Sequence, residues 1–120
     1  KIVTDILLVI VLVMAAVLYI PRLMGLKTYK VLSGSMEPEY HVGSVVYVEK
    51  SLIDDIEVGD VITFYINDNT VVTHRVVDKD DESFRTKGDA NEIEDGGSVA
   101  YDKVVGKVVL NVPYLGYILR

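Results

Sequence analysis

The sequence contains no cysteine, no tryptophan and only two histidines among its 120 residues. Without cysteine, a disulfide framework, a cysteine nucleophile and thiolate metal sites are excluded, and the redox compartment stays undetermined. The chain also lacks an excess of basic residues, since 12 Lys and Arg stand against 18 Asp and Glu, a net charge of −6. Nucleic acid is therefore not expected as a partner, because binding to phosphates requires a basic surface.

The length suits one domain, and the charges are unevenly spread along it. Residues 1–30 carry four basic residues and one acidic residue, whereas residues 31–120 carry eight basic and 17 acidic ones. Half of the residues are apolar and a quarter are charged, which excludes a disordered tail or a low-complexity filler. The two parts of the chain therefore call for separate explanations.

One long apolar run lies near the start of the chain. It extends from Ile6 to Ile20 without a charged residue. A helix over this run would measure about 22 Å, which is shorter than the roughly 30 Å hydrocarbon core of a bilayer. Adding Ile2 and Val3 before the run, or residues 23–26 after it, brings the segment to spanning length. The run therefore predicts a membrane anchor.

The flanks of the run are consistent with this prediction. Tyr19 and Tyr29 lie beside Arg22 and Lys27, and aromatic and basic side chains of this kind anchor helices at membrane interfaces. A cleaved signal peptide and a buried helix of a soluble protein are the alternatives, although no small-x-small cleavage site follows the run. The bases after the run favour a cytoplasmic location for the rest of the chain.

The rest of the chain is rich in Val, Ile, Thr and Tyr in short runs separated by turn residues, which predicts a mostly β domain. The predicted strands are 45–49, 61–66, 71–77, 83–86 and 104–110, with Asn67–Thr70 as a hairpin connection. No long amphipathic helix pattern and no internal repeat is visible after residue 30. We therefore expect residues 1–27 to form an anchor with its interfacial flank, and residues 28–120 to form a β-rich domain.

The first candidate for chemistry is a Ser-Gly-Ser sequence directly after the anchor. Ser33 and Ser35 flank Gly34, and Met36 follows. Glycine permits a close approach of the backbone to a ligand, and a serine hydroxyl two residues before a nucleophile could donate to an oxyanion. Taken alone, the sequence is more typical of a turn that leads into the domain.

Two histidines and an acidic segment complete the candidates. His74 lies in a predicted strand, where a structural histidine is the ordinary interpretation, and His41 lies in a loop. Residues 86–97 contain Asp89 and Asp95 and are typical of an acidic, solvated turn. A calcium loop is the alternative, but the spacing of the acids differs from that of helix-flanked calcium loops.

Taken together and in this order, these segments resemble type I signal peptidase, and in particular its ER-type branch, in which histidine replaces the lysine base of the ordinary bacterial enzymes. The resemblance rests on Ser-Gly-Ser-Met-Glu-Pro at 33–38, Thr-His-Arg-Val at 73–76 and Lys-Gly-Asp-Ala-Asn at 87–91. Further similar segments are Gly-Asp-Val-Ile-Thr-Phe at 59–64 and Val-Pro-Tyr-Leu-Gly-Tyr at 112–117. The resemblance extends over essentially the whole chain.

The resemblance implies a role for each candidate residue. Ser35 would be the nucleophile and His74 its general base, with Asp95 as the third member of the triad and Asp89 as a supporting residue. The backbone N–H of Ser35 and the hydroxyl of Ser33 would form the oxyanion hole. The sequence alone does not separate the roles of the two aspartates. Neither a metal nor an organic cofactor is expected.

The resemblance also implies a membrane-bound serine endopeptidase that removes signal peptides from preproteins after small residues, in an A-x-A-like pattern. Its partners would be signal peptides and the lipid bilayer, with partner subunits left open. The fold would be an antiparallel β domain after one transmembrane helix. The catalytic domain would lie outside the cytoplasm, or in the ER lumen of a eukaryote, which conflicts with the basic flank.

Alternatives of other classes remain. One is a non-catalytic, membrane-tethered β domain within a secretion or processing complex. Another is a self-cleaving repressor-type protease, which uses a Ser–Lys pair and a DNA-binding segment. Because the chain begins without Met and ends after an apolar run at 114–119, we expect it to be a piece of a longer protein. Some relatives of this branch continue there into a second membrane span.

Overall fold

A single helix, α1, precedes the β domain in the computed structural model, which describes residues 1–50 and 53–114. The helix extends over Ile2–Leu23 and its 22 residues measure about 33 Å. It is long and apolar enough to cross a membrane, and none of its most apolar 18-residue window is buried against the rest of the chain. Within the described residues, α1 is therefore not a buried core helix.

Among the described residues, seven strands form one antiparallel sheet, as the β-rich composition predicts. The five predicted strands are all present, and two short strands at 27–30 and 98–100 join them. In chain order, the strands are β1 Lys27–Lys30, β2 Val45–Glu49, β3 Val61–Asn67, β4 Thr70–Lys79, β5 Ser83–Lys87, β6 Ser98–Ala100 and β7 Val104–Val112. Their order across the sheet is β1-β2-β7-β3-β4-β5-β6.

The hairpin between β3 and β4 has the predicted connection. Asn67 pairs with Thr70, and the Asn67 side-chain oxygen accepts a hydrogen bond from the backbone N–H of Asn69 at 2.9 Å. An Asn side chain that bonds to the backbone two residues later stabilises a tight turn. The turn sets the register of the hairpin, in which Ile62 lies opposite His74.

The apolar faces of the sheet pack into a main cluster and two smaller ones. Val31, Val46 and Val48 form the second cluster, and Val45 and Tyr47 form the third. Apolar side chains on alternate positions of neighbouring strands bury their surface together, which is the main source of stability for such a sheet. The main cluster contains Ile56, Ile62, Phe64, Val76, Phe84 and Val99.

The open edge of β4 positions the candidate site. β5 pairs with β4 from Arg75 onward, so the first half of β4, residues 70–74, pairs only with β3 within the described residues. The segment that carries Ser35 lies beside the open edge of this half, since residues of both segments line one cavity. An unpaired strand edge next to a reactive side chain is a place where an extended peptide can bind.

The helix α1 is joined to the β domain by a short turn. α1 ends at Leu23, and Gly25 has a φ of 85°, a left-handed conformation that favours glycine just beyond a helix end. β1 then begins at Lys27, within the segment predicted as anchor flank. The division into residues 1–27 and 28–120 stays a prediction. Three expectations concern residues outside the described ranges: residues 115–119 of the apolar run, residues 115–117 of the 112–117 motif, and a membrane span after residue 120.

Candidate active site

The Ser-Gly-Ser sequence forms the start of a short 3₁₀ helix, Gly34–Met36. Ser33 caps this helix in an extended conformation, and its side-chain oxygen faces the backbone N–H of Ser35 at 3.5 Å. The two hydroxyl oxygens of Ser33 and Ser35 lie 3.0 Å apart. The tight helix therefore brings both hydroxyls and the Ser35 N–H to one place.

His74 lies on the unpaired half of β4 and is 8% exposed. Its Nε2 is 3.0 Å from the Oγ of Ser35, and its Nδ1 is 2.6 Å from an Oδ of Asp95. The Phe64 ring meets the imidazole edge-on, with ring centres 6.3 Å apart. The strand and the aromatic contact hold the imidazole between an alcohol and a carboxylate.

Asp95 is held in turn by strand β5. Its backbone N–H donates to the carbonyl oxygen of Thr86 at 2.9 Å, and the hydroxyl of Thr86 donates to the same Asp95 oxygen that faces His74, at 2.6 Å. Thr86 is fully buried. No signal in the sequence pointed to Thr86, since it lies nine residues before Asp95 and looks like an ordinary strand threonine.

Asp89 lies just after the end of strand β5 and binds Arg75 of strand β4. The carboxylate accepts two hydrogen bonds of 2.8 Å from the guanidinium, which also donates to the carbonyl oxygen of Gly59 at 2.7 Å. These bonds hold the pKa of Asp89 below its usual range, because the adjacent cation favours the ionised carboxylate. Among the described residues, the carboxylate in contact with His74 belongs to Asp95 and not to Asp89.

The segment around Asp89 packs directly on the backbone of Ser35. The N–H of Ala90 donates to the carbonyl oxygen of Ser35 at 2.7 Å. A side chain at Gly88 would place its first carbon 2.6 Å from the same oxygen and 3.0 Å from the Ser35 Cβ. Only glycine allows this approach, so the packing against Ser35 gives a steric reason for the glycine in the Lys-Gly-Asp sequence.

The second histidine, His41, is not part of this arrangement. Its Nδ1 lies 3.2 Å from a carboxylate oxygen of Glu37, and both side chains are more than two-fifths exposed. An exposed pair of this kind contributes little to stability. The solvated-loop interpretation of His41 is therefore consistent with its surroundings.

Cavities lined by described residues border the site on two sides. One, of about 250 Å³, lies at the open edge of β4 next to Ser33 and Ser35. Its other walls are mostly apolar and small polar side chains, together with one lysine: Tyr29, Lys30, Val31, Leu32, Met36, Thr70, Val71, Val72 and Thr73. The other, of about 470 Å³, lies on the side of His74 and Asp95. A peptide bound along β4 would reach Ser35 through the first cavity.

The arrangement contains the chemical groups that nucleophilic acyl transfer requires. A hydroxyl faces a nitrogen that can take its proton, and a carboxylate faces the other ring nitrogen. Among the residues that the structure describes, no group of three or more His, Asp and Glu could hold a metal ion. The acidic segment at 86–97 instead supplies one side chain to His74 and one to Arg75.

Comparison with known proteins identifies relatives of this chain. A family described as "Signal peptidase, peptidase S26" matches residues 3–80, a range that includes Ser35 and His74 and ends before both aspartates. Signal peptidase I W of Bacillus subtilis is 43% identical over 89 residues, which cover 70% of this chain and 47% of that protein. The signal peptidase complex catalytic subunit SEC11C of Homo sapiens is 34% identical over 101 residues, covering 73% of this chain and 53% of that protein.

A third relative has a similar degree of identity to this chain. The catalytic subunit SEC11 of Colletotrichum graminicola is 32% identical over 101 residues, which cover 73% of this chain and 59% of that protein. The chain thus spans about half the length of the curated relatives that it matches. These relatives confirm the resemblance drawn from the sequence motifs, including the ER-type branch.

Proposed function

The chain belongs to the signal peptidase family, peptidase S26, and on that premise we propose that it is a membrane-bound serine endopeptidase that removes signal peptides from preproteins. The observation that carries this proposal is the continuous contact from Ser35 through His74 to Asp95, with distances of 3.0 and 2.6 Å. Residues 39 and 21 positions apart in the chain meet here in the order that acyl transfer requires.

The reaction begins with the neutral imidazole of His74. Its Nδ1–H donates to Asp95, which leaves Nε2 free to accept the proton of Ser35. As Oγ of Ser35 bonds to the carbonyl carbon of the scissile peptide, its proton moves to Nε2. The same proton passes to the leaving nitrogen as the C–N bond breaks, and an acyl-enzyme remains. Water then attacks the ester with His74 again as base, which releases the acid and restores Ser35.

The oxyanion that forms on the carbonyl oxygen needs donors. The backbone N–H of Ser35 and the hydroxyl of Ser33, whose N and Oγ lie 3.5 Å apart, would supply two when substrate is bound. The Ser33 hydroxyl, which now faces the Ser35 oxygen, turns its hydrogen toward the oxyanion when substrate is bound. Removing a donor of this kind costs about 100- to 1,000-fold in rate in serine proteases.

The two aspartates have different roles in this proposal. Asp95 orients His74 and stabilises the imidazolium that forms, and the Thr86 hydroxyl keeps its carboxylate in place. Asp89 is a positioning residue, since its ion pair with Arg75 holds residues 88–90 against the Ser35 backbone. The triad acid is therefore Asp95, and Asp89 supports the nucleophile through the backbone.

The substrate binds as an added strand along residues 70–74 of β4. Side chains of an extended peptide alternate between two faces, so every second residue enters the cavity beside Ser33. The A-x-A-like preference comes from the family resemblance, and the residues at these alternate positions would enter this cavity.

The anchor places enzyme and substrate in one bilayer, which raises their effective concentration. We propose that α1 spans the membrane and that the β domain lies outside the cytoplasm, where a signal peptide presents its cleavage site. The basic residues Arg22, Lys27 and Lys30 then lie on the side of the membrane away from the cytoplasm, whereas basic residues next to membrane helices are usually cytoplasmic.

The test is cleavage of a membrane-inserted preprotein by the full-length protein in lipid vesicles. We expect cutting after a small-x-small sequence, and we expect Ser35→Ala and His74→Ala to lower the rate at least about 1,000-fold while the proteins stay folded. His41→Ala is the matched control and should cut like the wild type. Asp95→Asn should cost more activity than Asp89→Asn.

Persistent cutting by His74→Ala would overturn the assignment of the base. A folded, full-length protein that cuts no preprotein, with or without added subunits, would contradict the enzyme proposal. That result would favour a non-catalytic, membrane-tethered domain within a processing complex.

A further inference from the structure

The contact between α1 and the β domain centres on Tyr47 of strand β2. This side chain is fully buried, and its hydroxyl donates to the backbone carbonyl oxygen of Val17 at 3.1 Å. Leu18, Leu26 and Val112 pack around Tyr47 and Val45. The phenol thus provides a polar contact from the sheet to a membrane helix that is otherwise largely exposed along its first 14 residues.

The acceptor of this bond has lost its ordinary donor. In an α-helix, the carbonyl of Val17 accepts from the N–H of residue 21, and residue 21 is proline, which has no N–H. Within a membrane helix, a carbonyl freed by proline must find another donor, because lipid offers none. The Tyr47 hydroxyl is such a donor, and burial raises its pKa, which keeps the phenol protonated.

The position of this bond is set back from the end of the helix. Val17 lies six residues before Leu23, which is about 9 Å along the helix axis. The β domain therefore contacts the helix more than one turn before its end and not only through the turn at Gly25.

The sheet transmits the position of Tyr47 to the site. β2 pairs with β7, β7 with β3, and β3 with β4, which carries His74. Hydrogen-bonded strands keep their relative positions. The point along α1 at which Tyr47 binds therefore determines the height of His74 and Ser35 above the bilayer. Without the bond, the domain would be joined to the helix by apolar packing, which is not directional, and by the chain itself.

We propose that Tyr47 is a positioning residue: by binding the carbonyl that Pro21 leaves free, it holds the β domain at one height, so that the site cuts signal peptides whose scissile bond reaches that height. This inference rests on the proposed function. It predicts a preference for one length of the apolar segment of the substrate, because each residue of a helical segment moves the scissile bond by about 1.5 Å.

The experiment uses the full-length protein in vesicles of phosphatidylcholine and phosphatidylglycerol. Substrates are co-reconstituted preproteins whose apolar segment is lengthened or shortened by single leucines, and a water-soluble peptide with the same cleavage site. We expect Tyr47→Phe to lose about fivefold in kcat/KM at the best length and to flatten the length profile, because one directional bond is lost. Cleavage of the soluble peptide should stay within about twofold of the wild type.

Tyr19→Phe is the matched control, since it makes the same chemical change on α1 at a side chain that is 61% exposed. It should keep the wild-type length profile. A wild-type profile for Tyr47→Phe would overturn the inference, and so would an equal loss on membrane and soluble substrates, which indicates general packing. A wild-type protein that cuts neither substrate overturns the proposed function and this inference with it.

A second pair of variants tests the part of Pro21. Pro21→Ala restores an N–H that competes with the phenol for the Val17 carbonyl. We expect this variant to flatten the length profile although it favours the helix, and the double variant to be no flatter than Tyr47→Phe. Fully additive effects of the two substitutions, or a wild-type profile for Pro21→Ala, would overturn the link between Pro21 and Tyr47.

Discussion

Among single residues, the two aspartates of the acidic segment are the clearest case of similar side chains with different surroundings. Asp95 faces a histidine and a buried threonine hydroxyl, and Asp89 faces a guanidinium. The guanidinium holds the pKa of the Asp89 carboxyl below its usual range, whereas the Asp95 carboxylate contacts Nδ1 of His74 and orients its ring. The difference is set by the partner and not by the residue type.

The ion pair of Asp89 predicts a pH-dependent contribution to stability. Because the pKa of Asp89 is lower in the folded protein than in the unfolded chain, its contribution is present above the ordinary aspartate pKa, near pH 4, and is lost as pH falls through the lowered value. We expect Asp89→Asn to lower the free energy of unfolding by about 1–2 kcal/mol at pH 7. The measurement is denaturant unfolding of both proteins in detergent micelles from pH 7 to pH 2.

The difference between wild type and variant should shrink toward zero at the acid end. A difference that stays constant over this range would contradict a charge-based role for Asp89. Glu94→Gln, which removes a carboxylate from an exposed pair with Arg85, serves as the comparison and should change stability little.

At the scale of elements, the composition predicted five strands, and two were missed because they are short. β1 and β6 have four and three residues, which are too few to show alternation, and their pairing with β2 and β5 is what makes them strands. The open half of β4 was likewise not visible in the sequence, since it depends on where β5 begins to pair. Local composition predicts strands, whereas their edges depend on distant partners.

The loop after β5 provides a prediction at this scale. Gly88→Ala forces a carbon into the carbonyl oxygen of Ser35, so either the loop or the nucleophile must move. We expect kcat/KM on a soluble peptide to fall about 10- to 100-fold, since a shift of the nucleophile of about 1 Å has a cost of this size. The measurement is steady-state cleavage of the same peptide by both proteins.

Gly96→Ala is the control for this substitution. Nothing lies within 4 Å of an added carbon at Gly96, which is in the same acidic segment next to Asp95. This variant should keep wild-type activity. Equal activity of Gly88→Ala and wild type would show that the close approach to Ser35 is not needed for catalysis.

At the scale of the whole molecule, the anchor and the β domain form a single unit through Tyr47 and the residues packed around it. An enzyme and a substrate that share a bilayer meet at a concentration set by the membrane area and not by the volume of the solution. The proposed function therefore makes the rate depend on the amount of lipid.

Surface dilution tests this expectation. When protein and preprotein are held at fixed total amounts and the lipid of fused vesicles is raised tenfold, we expect the initial rate on the preprotein to fall about tenfold at low substrate density. The rate on the water-soluble peptide should not change, which controls for inhibition by lipid. A preprotein rate that is independent of lipid would contradict a reaction between two membrane-anchored molecules.

The sequence by itself determined the long apolar helix, the β-rich class of the domain and the family, because these depend on composition, length and short motifs that are contiguous in the chain. Ser35 and His74 could be named as candidates for the same reason. Only the tertiary structure decided which aspartate contacts His74, that Thr86 holds that aspartate, and that Tyr47 binds the carbonyl freed by Pro21. Each of these contacts joins segments that are distant in the sequence, and a hydrogen bond depends on distances that only the folded chain provides.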